Sequence, residues 1–118
     1  MVVSDLHVNS TVGLCPPRVQ LDDGGTHVMG KAQRWIWRCW TDFWTHVDNL
    51  ERSALYVVIH GDAVEGLHHG TTQLVSHNEA TQAMMAKRIL EPVARLADYL
   101  FIVRGTPAHT GPSAYWEE

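Results

Sequence analysis

The chain has 118 residues, 45% hydrophobic and 19% charged, which suits one soluble globular domain and excludes a disordered or fibrous chain. Its formal net charge of −4, with eight histidines taken as neutral, argues against a broad electrostatic grip on nucleic acid, though bound divalent metal would reverse the sign locally. No apolar run reaches the roughly 20 residues of a membrane span, and MVVSDLH lacks the basic segment and long apolar stretch of a signal peptide. The expected location is therefore cytoplasmic, with no membrane partner.

Residues Met1 to Ser4 read as a short buried strand running directly into Asp5-Leu6-His7. From Val8 to Gly25 the turn formers Asn9, Gly13, Pro16, Pro17, Asp22, Asp23, Gly24 and Gly25 predict a long surface loop. Between His27 and Arg52 the apolar residues Met29, Ala32, Ile36, Trp40, Phe43, Val47 and Leu50 fall at helical steps of three and four, with Trp37 and Trp44 widening that face. At this spacing the tryptophans read as a packed core stripe rather than a base-stacking platform.

Leu55 to Ile59 is an unbroken apolar run rich in β-branched residues, as in a strand covered on both faces, and it stops at Gly61-Asp62. After a polar loop over residues 66–75, Ser76-His77-Asn78-Glu79 has a capping-box pattern. It opens a helix with Met85, Ile89, Val93, Leu96 and Leu100 on one face, which Pro92 should kink or break. Tyr99 to Val103 then forms a third strand ending at Arg104-Gly105-Thr106. Cys15 and Cys39 match no zinc or disulfide pattern and read as free thiols.

The order strand-helix-strand-helix-strand predicts an α/β layer structure with parallel strands and right-handed connections. In such sheets ligands gather at the carboxyl ends of the strands. Here those ends carry Asp5 and His7, then Asp62, then Thr106 and His109. Asp and His two residues apart in extended chain share a face and can reach one ion. That pairing suits Mn²⁺, Zn²⁺ or Fe²⁺ better than Mg²⁺ or Ca²⁺. Gly61 allows a sharp turn that projects Asp62, whose two oxygens can bridge two cations. His68 and His69, in the loop beyond Gly61-Asp62, are candidates to face a substrate phosphate.

Together, Asp5-Leu6-His7, Gly61-Asp62-Ala63-Val64-Glu65 and Gly105-Thr106-Pro107-Ala108-His109 resemble the motifs of the calcineurin-like metallophosphoesterase superfamily. SDLHVNSTVGLCPP and GDAVEGLHHGTTQ look like the phosphoesterases of phages and prophages. The resemblance covers nearly the whole chain. It implies a partial metallophosphoesterase β-sandwich with flanking helices and a dinuclear site in which Asp5 and His7 hold one metal and Asp62 bridges both. A metal-bound hydroxide would then hydrolyse a phosphomonoester or phosphodiester, nucleic acid included among the candidate substrates. Glu65 matches the family's second acidic position, which supports the site rather than ligating.

Two departures stand out. Thr106 occupies the place of the family's Asn ligand, which leaves His109 as the candidate ligand or general acid and Thr106 as a weaker metal ligand that mainly shapes the turn. The family's later Gly-His-x-His ligands are missing before Glu118, so residues 1–118 read as one truncated domain, the front part of the fold. The alternative function is a non-catalytic fragment of that fold that binds metal or a partner.

Overall fold

A computed structural model describes residues 1–67 and 70–106. In chain order they form β1 (Val2–Ser4), β2 (Arg18–Gln20), β3 (Thr26–Val28), α1 (Lys31–Asp48), β4 (Tyr56–His60), α2 (Glu79–Leu96) and β5 (Tyr99–Val103). The result is an α/β domain. No helix among the described residues is long and apolar enough to cross a membrane.

A parallel sheet in the order β1-β4-β5 organises the molecule. Its register sets Val3 beside Ile59 and Ile59 beside Ile102. Side chains alternate across a strand, so Val57 and Ile59 share one face. Both are fully buried in a single cluster with Met85, Ile89 and Val93 of α2 and Trp44 and Val47 of α1. Each such aliphatic side chain contributes about 1.5–3 kcal/mol on burial. That face, backed by both helices, is the core.

The opposite face departs from the expected two-sided cover. Tyr56 and its neighbour Tyr99 are each 54% exposed, and Phe101 is 52% exposed. The two tyrosine rings stack with centroids 4.7 Å apart. Because residues of both helices join the cluster around Val57 and Ile59, the alternate positions Tyr56, Val58 and His60 receive no helix among the described residues. The continuous apolar run in the sequence therefore does not signal two buried faces here.

Four further differences have local causes. The chain between β1 and α1 contains a hairpin, β2 paired antiparallel with β3, so the order gains two strands over the expected one. Its turn closes through Leu21 N–H to Gly25 O at 2.9 Å and Gly25 N–H to Asp23 Oδ1 at 2.7 Å. Val19 anchors it in the core. This hairpin holds His27, so α1 starts later, at Lys31, where Gly30 N–H donates to Gln33 Oε1 at 3.0 Å. At α2 the capping side chain is Asn78, accepting from Thr81 N–H at 3.1 Å, while Ser76 Oγ accepts from Asn78 N–H. Helix α2 continues through Pro92, which lies on its exposed side, where water can satisfy the Arg88 carbonyl.

Candidate metal centre

Beyond Ser4 the chain winds tightly. Asp5, His7 and Asn9 adopt φ values of 55°, 43° and 89°, and Asp62, following Gly61 at 67°, adopts 43°. Residues with side chains rarely occupy this left-handed region, at a cost on the order of 1 kcal/mol each, and such residues cluster at functional sites. Three of the four are Asp5, His7 and Asp62, which are among the residues that the sequence marks as candidate metal ligands.

Backbone hydrogen bonds hold this geometry. His7 N–H donates to Asp62 O and Val8 N–H to Ala63 O, both at 3.0 Å, and Glu65 N–H donates to Val8 O at 2.7 Å. These bonds join the loops after β1 and β4 beside the buried pair Val8 and Val64. The first loop also folds onto itself, with Ser10 N–H donating to His7 O and Leu14 N–H to Leu6 O. A Cβ at position 13 would stand 2.2 Å from His7 O, so only glycine fits there.

Asn9 locks the arrangement. It is fully buried. Its Nδ2 donates to Glu65 O at 3.0 Å, its Oδ1 accepts from Ser76 N–H at 2.9 Å, and its own carbonyl accepts from Val75 N–H. As a sequence feature Asn9 was one turn former among many. Its only local signal is its place two residues after His7, in a segment where a left-handed Asn is tolerated.

On this frame one ligand atom from each of Asp5, His7 and Asp62 lies within 4.8 Å of the others. Nδ1 of His7 is 2.5 Å from Glu65 Oε2. A carboxylate only accepts, so Nδ1 carries the proton and Nε2 is the nitrogen able to ligate; it turns toward Asp5, 3.8 Å from Oδ1. Carboxylate–histidine pairing of this kind orients metal-binding imidazoles and raises their basicity. Thr106 N–H donates to Asp62 Oδ1 at 3.1 Å, which brings the end of β5 to the same place. Two carboxylates and an imidazole held this way fit Mn²⁺, Zn²⁺ or Fe²⁺.

No family model, curated protein or solved structure matches the chain. Asp5, His7, Asp62, Glu65 and Thr106 come together from three strand ends. His68, His69 and His109 lie outside the described residues. His60 is exposed at the end of β4, on the uncovered face of the sheet.

A cavity of about 560 Å³ opens beside Asp5 and His7. Its far wall is a helical stripe of α1, Ile36, Cys39, Trp40 and Phe43. The stripe that reads in the sequence as fully packed core thus divides. Trp44 and Val47 are buried, whereas Phe43 is 36% exposed and faces the cavity. The cause is rotational: the buried line of α1 runs through Gln33, Trp44 and Val47, displaced from the line of Phe43.

Proposed function

We propose that this protein is a metal-dependent phosphoesterase of the calcineurin-like type, with Asp5, His7 and Asp62 holding a divalent cation, Mn²⁺ by preference and Zn²⁺ or Fe²⁺ as alternatives. One observation carries the reading: three ligand atoms from the ends of two parallel strands lie within 4.8 Å of each other, on residues held in left-handed backbone. The three parallel strands and their helices are, in this reading, part of a metallophosphoesterase sandwich.

Electrostatics supports the same conclusion. Asp5, Asp62 and Glu65 surround His7, so an anionic phosphoester would be repelled unless a cation reversed the local sign. Such a cation, when bound, would supply Lewis-acid polarisation of the phosphoryl group and activation of water at neutral pH. The chain's own residues do the positioning. Glu65 fixes the His7 ring and keeps its proton on Nδ1. The Thr106 amide holds one oxygen of Asp62. His109 remains the proposed general acid or further ligand, and Thr106 shapes the turn that leads to it.

The test is hydrolysis of p-nitrophenyl phosphate and bis-p-nitrophenyl phosphate with Mn²⁺ and with EDTA, alongside metal content by mass spectrometry. Mn²⁺-dependent turnover of either ester, abolished by EDTA, is expected. Stoichiometric bound Mn²⁺ with no turnover of either ester would favour the alternative, a non-catalytic metal-binding form of the fold.

A further inference from the structure

Resting on the phosphoesterase reading, we infer that the cavity beside Asp5 and His7 receives the uncharged, aryl-sized alcohol portion of a small phosphoester. The first argument is continuity. Asp5 and His7 belong both to the ligand cluster and to the cavity wall, so a phosphoryl group held at the cluster has its ester substituent directed along the wall or out to solvent. Burying it along the wall is favoured by about 25 cal/mol per Å² of apolar surface.

Size and chemistry agree with that occupant. The volume of about 560 Å³ lies within the roughly 300–1,000 Å³ of small-molecule pockets. The rest of the lining is largely aromatic and aliphatic: Ile36, Trp40 and Phe43, with Leu14 and Val12. Buried Trp44 meets Trp40 edge-on at 5.4 Å and Phe43 at 5.1 Å. It holds both rings in place before any ligand arrives, which lowers the ordering cost of binding. Rings so fixed offer faces and edges to another aromatic ring.

Charge selects against a larger substrate. Among the described residues no Lys or Arg lines the cavity, and its one carboxylate is Asp5. A nucleic-acid strand needs cations along its backbone track and finds none here. A small ester with one phosphoryl group and an apolar substituent needs only the metal.

The experiment uses 1-naphthol as the probe for the cavity and Mn²⁺ as the probe for the cluster, separately. In NMR titrations of the full chain, 1-naphthol should shift the Ile36 methyl and Phe43 ring resonances. Cys39→Trp, made at an exposed position on the cavity wall, should weaken naphthol binding at least about tenfold by filling the space, with unchanged heat of Mn²⁺ binding. Should Cys39→Trp fail to fold, Phe43→Ala serves, with the same tenfold loss expected. With active enzyme, KM for 1-naphthyl phosphate should rise in either variant more than kcat falls. Absence of naphthol shifts at Ile36 and Phe43 overturns the inference whatever the turnover. Naphthol shifts lost in Cys39→Trp, in a protein that hydrolyses no phosphoester, would refute the enzymatic reading and leave the aryl site standing. Naphthol shifts that vanish as a dimer forms in sedimentation would assign the groove to a second copy and overturn the proposal.

Discussion

Glu65 Oε2 sits 2.5 Å from Nδ1 of His7, across 58 positions of sequence, and the Glu65 side chain is only 14% exposed. A short carboxylate–imidazole contact in partly buried surroundings fixes both the ring and its proton. A metal-ligating imidazole would require its ring and tautomer to be fixed in this way.

Glu65→Gln keeps the shape and removes the charge. If Glu65 orients and polarises a ligand, Mn²⁺ affinity should fall by roughly 10–100-fold, with little change in the thermal midpoint. Titration calorimetry on both proteins checks this; equal affinities would reduce Glu65 to a structural partner.

Asn9 predicts a stability effect. Removing its side chain takes a donor from Glu65 O and strands the buried Ser76 N–H, at a cost of about 1–3 kcal/mol for an unsatisfied buried group. Asn9→Gly tolerates φ of 89° and isolates the side-chain loss, whereas Asn9→Ala adds backbone strain. Urea unfolding should rank wild type above Asn9→Gly, and Asn9→Gly above Asn9→Ala. A wild-type midpoint in Asn9→Gly would refute the locking role.

Part of the fold is legible in the sequence, for a specific reason. β1, β4 and β5 are short apolar runs that each stop at a polar or glycine-containing turn, so the strand ends, and the candidate ligands placed there, fall out of the pattern. The hairpin was not legible. Arg18-Val19-Gln20 and Thr26-His27-Val28 are three residues each, below the length at which alternation stands out among Pro, Asp and Gly. The left-handed backbone of Asp5, His7 and Asp62 was also hidden, because it is imposed by bonds between two loops far apart in sequence. The exposed sheet face escaped for a similar reason, since β-branched residues such as Val58 suit a strand whether or not a second layer covers it.

That face makes its own prediction. Tyr56, Tyr99 and Phe101 present a contiguous, half-exposed aromatic patch, of the kind that binds hydrophobic dyes and partners. Wild-type protein should enhance the fluorescence of an anilinonaphthalene dye, and Phe101→Lys should suppress that signal while changing stability by less than about 0.5 kcal/mol. A wild-type protein that leaves the dye dark would contradict this.

The two cysteines should differ sharply. Burial pushes the Cys15 thiol up to about 11 from an ordinary 9.0, whereas Cys39 is exposed. Native protein should react at one thiol per chain with a disulfide reagent, and at two after unfolding. The sign of the linked stability follows. Between pH 9 and 11 the unfolded chain releases the Cys15 proton and the folded chain retains it, so stability is whole below pH 9 and declines above it, by on the order of 2 kcal/mol at the end of that window. Cys15→Ser should remove this alkaline decline, as followed by denaturant midpoints against pH.

Whether Asp5, His7 and Asp62 form one cation site is read by Mn²⁺ calorimetry on wild type and Asp62→Asn. Asn keeps an oxygen to accept the Thr106 amide, so the loop survives the change. Wild type should bind Mn²⁺, and Asp62→Asn should bind it more than about a hundredfold more weakly, beyond the roughly 10–100-fold loss typical of a residue that only supports a ligand. Equal affinities in the two proteins, or no binding heat in wild type, would mean that these three residues form no such site.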